Sequence, residues 1–394
     1  MRDVVIASAC RTAIGTFGGA LKNVSAVSLG TLVVADALKR AQVRPDTVDE
    51  VVMGNVLQAG LGENPARQCS VNAGLPIDVP AFTVNKVCGS GLKAVALGAQ
   101  AIAAGDADVV VAGGMESMSN APYLLPEARW GLRMGDTPFV DSVLRDGLLD
   151  AWTGVHMGVT AENVAERFGI SRIEQDDLAS ESIRRALAAI EAGHFRDEIV
   201  PIEIAQRKAP SFVLATDEFP RTRPGPDVMP TLRPAFKKDG TVTAGNASGI
   251  NDGAAAVVLV AAERADALGL VPMARVRGYA AAGVDPQIMG TGPVAAVPKA
   301  LARAGVKLDD LELIEANEAF AAQALAVTRA LRFKPEITNV SGGAIALGHP
   351  IGASGCRILV TLLHAMRRLS RRFGLATLCI GGGQGIALVV ERVE

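Results

Sequence analysis

Aromatic residues make up only 4% of this 394-residue sequence, although 49% of it is apolar. A core of this size must therefore be packed from Ala, Val, Leu and Ile. Excess charge is missing as well. Lys+Arg 39 against Asp+Glu 41 leave a formal net charge of −2, so there is no basic field for nucleic acid. Long apolar runs are absent: "AAAVVLVAA" at 254–262 is about half the length that crosses a bilayer. The opening "MRDVVIASACRTAIG" reads as a strand, without the layout of a signal peptide. The expected location is the cytoplasm, with no membrane or nucleic-acid partner. Cys10, Cys69, Cys88, Cys356 and Cys379 are odd in number, widely spaced and free of any C-x-x-C pair. His156, His194, His349 and His364 form no H-x-x-x-H group, so neither a disulfide framework nor a metal site is expected.

Glycine is abundant, at 42 residues, and implies tight turns and close backbone approaches. The first ~117 residues alternate strand-like and helix-like stretches. "DVVIASA" is followed by the helical "SAVSLGTLVVADALKRA", then the strand "VDEVVMGNVL". "AFTVNKV" leads through "CGSG" into the helix "LKAVALGAQAIAAG" and the strand "ADVVVAGG". This βαβ order predicts a mostly parallel sheet covered by helices. The last ~125 residues repeat it: "VPKALARAG", "LDDLELIEANEAF", "GHPIGASGCRILVTLLHAMRRL" and "GLATLCIGGG" match the earlier elements in turn. The chain thus reads as two related α/β halves. Residues 118–249 fit neither half, and an insertion of that size with many loops points to function.

Three turns concentrate the chemistry. In "NKVCGSGLKAVA", Cys88 stands where a strand passes through small residues into a helix, so the helix N-terminus favours its thiolate. A buried core cysteine is the plain alternative, and Ser90 is a rival nucleophile. In "GGAIALGHPIGASG", His349 is crowded by glycines and presented by a turn that Pro350 stiffens, as a base for a cysteine requires. Asn317 in "EANEAF" ends a strand, where it holds a water, donates to an oxyanion or caps a helix. The closing "LATLCIGGGQGIALVVERVE" looks at first like a phosphate cradle. Its G-x-G-x-G leads into a strand at the chain end, whereas a dinucleotide fingerprint opens a helix. The glycines instead bring bare N–H groups, that of Gly381 among them, beside Cys379. His194 and His364 read as surface residues.

"NKVCGSG", "GGMESMSNAPY", "HMGVTAENVA", "GTVTAGNASGINDGAAA", "EANEAFAAQ", "GGAIALGHPIGASG" and "CIGGGQG" together resemble the thiolase family in order and spacing over nearly the whole chain. Within it they are most similar to the short-chain biosynthetic acetyl-CoA acetyltransferases. The resemblance implies a five-layer αβαβα sandwich of two βαβ-type halves, 1–117 (with part of 250–269 returning to it) and 270–394. It also implies that 118–249 forms an inserted loop domain carrying coenzyme A and tetramer contacts. It implies ping-pong Claisen condensation of two acetyl-CoA to acetoacetyl-CoA and CoA, and the reverse thiolysis, without a cofactor. Cys88 then carries the acyl group, His349 accepts its proton, and Cys379 removes the α-proton of the second acetyl-CoA. His349 and a water on Asn317 meet the enolate; the N–H groups of Cys88 and Gly381 meet the acyl carbonyl. Leu148, His156, Met157, Arg221, Phe236, Ala244 and Ser248 are the implied coenzyme A contacts, with Ala319 and Phe320 nearer the thioester. Arg223, Lys237 and Lys238 are looser phosphate candidates. Met157 and Met289 border the acyl pocket, implying a short acyl group. Val228 stands where a serine is usual. A carrier-protein condensing enzyme would lack Cys379 and the insertion, and a non-catalytic lipid-binding relative would lack Cys88 or His349.

Overall fold

The computed structural model describes residues 2–206 and 210–393. Its main strands, in chain order, are β1 (Val4–Thr12), β2 (Glu50–Gly54), β3 (Ala81–Val84), β4 (Val109–Ser117) and β5 (Asn251–Ala261), then β6 (Ala274–Gly283), β7 (Leu313–Ala316), β8 (Phe373–Ile380) and β9 (Gln384–Arg392). Hydrogen bonding orders them β7-β8-β9-β6-β1-β5-β4-β2-β3. β1 meets β6 only at Val5 and Ile6, opposite Arg275 and Ala274, so the path divides there into two sheets.

The two sheets are built alike. From β1 outward the pairings run antiparallel to β5, antiparallel to β4, then parallel to β2. From β6 outward they run antiparallel to β9, antiparallel to β8, then parallel to β7. The internal repeat read from element order is thus a repeat of sheet topology. The expectation of mostly parallel sheets needs correction, because the inner pairings of each half are antiparallel. β5 returns after the insertion instead of through a crossover helix. β9 follows β8 through a glycine hairpin too short for anything but an antiparallel pair.

Helices complete five layers. α1 (Ala26–Ala41) covers the outer face of the first sheet through Val33, Val34 and Ala37. α2 (Ser90–Ala104) begins the central layer; α3 (Met157–Phe168) and α4 (Arg172–Glu191) belong to the insertion. α5 (Gly292–Ala304) and α6 (Ala321–Leu331) cover the outer face of the second sheet. α7 (Ile351–Arg368) lies beside α2 between the sheets, and one core takes in Leu92, Val95, Leu259, Ile358, Leu362 and Leu388. β4 and β5 are buried at every residue, which is why "VVVAGGMES" and "NDGAAAVVLVA" show no alternation. Val87–Ala104 reaches a mean hydropathy of 1.4, apolar enough by composition to cross a membrane. Its position between two sheets accounts for that.

The scarcity of aromatics has a local reason here. A Cβ on Gly91 would stand 2.7 Å from the Cys356 nitrogen, and one on Gly355 would stand 2.5 Å from the Leu92 nitrogen. α2 and α7 therefore touch backbone to backbone, at a spacing rings would prevent.

The insertion is tied to the first sheet by a buried arginine. Arg11 on β1 donates to Glu198 (2.6 Å) and to both oxygens of Asp217 (2.7 and 2.8 Å), and lies 5.0 Å over the Phe195 ring. Glu198 and Asp217 both come from the insertion. Arg11→Ala leaves two buried carboxylates unpaired and is expected to cost about 3 kcal/mol or more in urea unfolding, whereas Arg44→Ala, in an exposed pair, should leave the unfolding curve unchanged.

Candidate active site

The chain between β3 and α2 is a strained turn held by its own side chains. Asn85 Oδ1 accepts from the Val87 N–H (2.9 Å). Val87 has φ 45°, a left-handed conformation that β-branched residues avoid. The Ser90 hydroxyl donates to the Val87 carbonyl (2.6 Å) and accepts from the Lys86 N–H (2.8 Å). Ser90 is fully buried and committed to the turn, so it is a clamp and not the rival nucleophile. The turn presents half-buried Cys88 just before the first residue of α2. Burial pushes its thiol up to about 11, against the N–H groups of Gly381 and Cys88 that favour the thiolate. Cys88 therefore rests protonated and needs a base.

His349 lies at the corresponding place in the second half, just before α7. Its own N–H donates to Asn251 Oδ1 (2.9 Å), and Gly348 reaches φ 103° with Asn251 packed against it. The Ser354 hydroxyl donates to the Pro350 carbonyl (2.8 Å), so its oxygen accepts from His349 Nδ1–H (2.7 Å). That assigns the proton to Nδ1 and leaves the buried Nε2, which has no partner among the described residues, as a free lone pair. Burial, with Arg357 adding to it, lowers the imidazole to about 3, so it is neutral at rest. We expect Ser354→Ala to release the tautomer and lower kcat/KM roughly 10- to 100-fold with an altered pH profile and an unchanged melting point.

The low value also has a consequence for stability. An unfolded imidazole titrates near ~6.5, so between there and about 3 only the unfolded chain takes up this proton. Stability then falls as pH falls through that window, by up to about 1.4 kcal/mol per pH unit. His349→Asn should flatten the slope of unfolding free energy against pH by about one proton between pH ~4 and ~6, as read from urea titrations.

Cys379, buried near the end of β8, faces Gly385 across the hairpin. Burial and then the proximity of Cys88 push its thiol well up. Gly382 and Gly383 take φ 81° and 78°, turning the chain so that Gly381 sits against Met157 Sδ and Val87. Asn317 continues β7 by donating its N–H to the Thr377 carbonyl (2.9 Å). Its side-chain nitrogen lies 3.5 Å from His349 Nδ1, and its Oδ1 is buried without a partner. Cys88, Gly381 and Cys379 are thus brought together from both halves, and Asn317 is set against His349.

The remaining candidates divide by position. Met157, Met289, Ala319, Phe320 and Cys379 share one apolar cluster, with Phe236 against it. His156 caps α3, its Nδ1 accepting from the Gly158 N–H (3.0 Å), and stacks on Phe236 at 4.7 Å. Phe236 meets Phe320 edge-on. Segment 246–248 runs antiparallel to 319–321, with the Ser248 N–H on the Ala319 carbonyl (3.0 Å), which sets Ser248 beside the cluster. Leu148 packs with Cys88 on Val56, Leu57 and Ile351. Arg221, Ala244 and Val228 are exposed. A cleft of about 590 Å³ opens beside Val87, Trp152, Met157 and Gly381.

Arg223 is a correction. Its Nη2 donates to the carbonyls of Ala244 (2.9 Å), Gly245 (2.6 Å) and Ala247 (3.0 Å), and its ring contact is Phe219. Burial lowers it to about 10. It braces the 244–247 loop and is not free for a phosphate. Lys237 pairs with Glu166 (3.4 Å), and Lys238 is exposed.

Sequence reasoning missed the braces. Buried Glu116 accepts from Asn55 Nδ2 (2.7 Å), Val56 N–H (3.1 Å), Leu57 N–H (3.2 Å) and Gly352 N–H (2.9 Å), joining the first half to the start of α7. Burial raises it to about 7. Glu318 accepts from Ser182 Oγ (2.6 Å) and Asn339 Nδ2 (2.9 Å) and sits against Gly343. The sequence sets Glu318 beside Asn317 after the strand but gives it no role; the structure makes it a brace.

Comparison with known proteins agrees with this geometry. Residues 4–263 match the family model described as Thiolase, N-terminal domain, and 270–392 match Thiolase, C-terminal domain. The chain is 59% identical over 392 residues to an acetyl-CoA acetyltransferase of Pseudomonas aeruginosa and 60% identical over 395 residues to one of Escherichia coli, covering 100% of both partners in each pair. The crystal structure of the Bacillus anthracis acetyl-CoA acetyltransferase superposes with a TM-score of 0.97 at 47% identity, over 100% of this chain and 99% of that one. With two like halves, a cysteine and a histidine at corresponding turns, and full-length matches to both domains, the chain belongs to the thiolase family.

Proposed function

We propose that the chain is an acetyl-CoA C-acetyltransferase, condensing two acetyl-CoA to acetoacetyl-CoA and CoA and running the reverse thiolysis. Cys88 Sγ attacks the first thioester carbonyl while its proton passes to His349 Nε2. The carbon–sulfur bond to coenzyme A breaks, and the departing thiolate takes that proton. Acetyl-Cys88 remains, its carbonyl oxygen facing the N–H groups of Cys88 and Gly381. Cys379, as its thiolate, then removes an α-proton from the second acetyl-CoA. The enolate, met by His349 and a water on Asn317, attacks acetyl-Cys88; a carbon–carbon bond forms, and the Cys88 sulfur leaves and takes the proton that Cys379 carries, which restores both sulfurs. Thiolysis is the same path reversed.

The observation that carries this reading is two thiols from opposite halves, Cys88 lying close enough to raise the Cys379 pKa, together with a histidine at the matching turn whose Nε2 has no partner among the described residues. A raised pKa keeps Cys88 protonated until a base acts, and makes the Cys379 thiolate, once formed, a strong base. Met157 and Met289 beside Cys379 support a short acyl chain. Residues 118–249 serve as the loop domain for coenzyme A. Within it Trp130, Met134 and Phe139 are exposed around the hairpin of Tyr123–Leu124 and Val140–Asp141, apolar surface that supports assembly into a homotetramer. The substrates are acetyl-CoA, acetoacetyl-CoA and CoA, used without a cofactor in the cytoplasm. The test is kcat/KM for 3-ketoacyl-CoAs of increasing chain length with CoA as acceptor. Acetoacetyl-CoA should be the best; preference for long chains makes the protein a general 3-ketoacyl-CoA thiolase, and no turnover removes the reading.

A further inference from the structure

A second cavity lies away from the catalytic cluster. Beyond Ile6 the register of β1 against β5 shifts, β1 and β6 have parted, and Ala7, Ser8 and Ala9 line a cleft of about 840 Å³. Its walls carry Arg40, His194, His364, Arg367, Arg368 and Arg392, with Asp197 as the one acidic side chain on the lining among the described residues.

Most of that positive charge is uncompensated. Arg40 is neutralised by Asp36 and also donates to the carbonyls of Asp197 and Ile199. Arg368 makes one long contact, to Ser341 Oγ (3.3 Å), and Arg392 donates to the Arg371 carbonyl (3.2 Å). Arg367 has no ion pair or hydrogen bond among the described residues. Arg368 is lowered by burial against the attraction of Glu198 and Glu315, and His194 is lowered by burial and then by Arg368. His364 is turned into the protein, its Nε2 donating to the Ala9 carbonyl (3.0 Å).

The helix that supplies Arg367 and Arg368 also starts just after His349. Ser354, Arg357, Thr361, His364 and Arg368 recur at three- and four-residue steps and form one polar face on α7. A polar stripe on a helix packed between two sheets is costly unless it is used. Its inner members are: Ser354 holds His349, and Thr361 bonds Glu198 (3.0 Å). Its outer end, Arg368, opens into the cleft.

We propose that this cleft is a binding site for a multiply charged phosphate, held by Arg367, Arg368 and Arg392. Guanidinium forks match phosphate oxygens in pairs, which a single carboxylate would not need three arginines to satisfy. Val271 and Pro272 on the same lining offer a shelf for an organic group attached to the phosphate.

Isothermal titration of inorganic pyrophosphate into the full-length enzyme tests this, with coenzyme A present in excess to fill the substrate groove. One pyrophosphate per chain is expected, with affinity falling as salt rises. Arg367→Gln/Arg368→Gln should weaken it about tenfold or more while leaving the melting point and the turnover in dilute buffer unchanged, and Arg392→Gln alone should weaken it in the same direction. ADP binding tighter than pyrophosphate assigns the shelf to a nucleotide; equal affinity assigns the site to the anion alone. Absence of saturable binding, or binding undiminished in both variants, overturns the proposal.

Discussion

Cys88→Ala is expected to lower thiolysis of acetoacetyl-CoA by at least about 10⁴-fold with little change in stability. The loss is large because no neighbouring group can take over. Ser90 is the only hydroxyl in the turn, and its hydrogen and a lone pair are already spent on Val87 and Lys86. Cys379 lies in its own apolar cluster with its thiol pushed well up. Stability should hold because the side chain is small and the clamp of Asn85, Val87 and Ser90 does not involve it. Intact-mass analysis after mixing with acetyl-CoA should show one acetyl group on the parent enzyme and none on the variant. An acetylated Cys88→Ala enzyme would move the nucleophile elsewhere.

The second large effect is a split phenotype. Cys379→Ser is expected to form acetyl-Cys88 at close to the parent rate but to lose roughly 10³-fold in overall condensation. A hydroxyl is a far weaker acid than a thiol, so in the same buried setting its oxyanion is out of reach. The direct readout is exchange of acetyl-CoA methyl protons in heavy water, which should collapse with the overall rate. Exchange at the parent rate would take the base role from Cys379. Serine conserves the volume, so a folding defect should not obscure the split.

Much of the architecture could be read from the order of elements, because two halves with the same succession of turns and helices bury their faces in the same way. The pairing sense of β5 and β9 could not. It depends on where a distant segment returns and on a hairpin whose glycines at first suggested a ligand cradle. Cys88, His349 and Cys379 stood out as candidates in the sequence because each sits in a glycine-rich turn that a purely structural cysteine or histidine does not require. Ser354 was not, since its role depends on a hydroxyl reaching back to a ring five residues earlier. Glu116 acts across some 235 residues of sequence, to Gly352, and no local pattern announces it. Arg223 went astray because an arginine in a loop looks the same whether it meets a phosphate or three carbonyls.

The contact of α2 with α7 through Gly91 and Gly355 has a temporal side. Its partners are separated by about 260 residues, so loop closure makes it one of the costliest encounters in the molecule. Cys88 precedes one helix of that pair and His349 precedes the other. A growing or refolding chain can therefore complete its first sheet and still have no reaction centre. Catalytic competence arrives as a late event, and recovered turnover is a clock for the meeting of the halves where circular dichroism records only the making of helices.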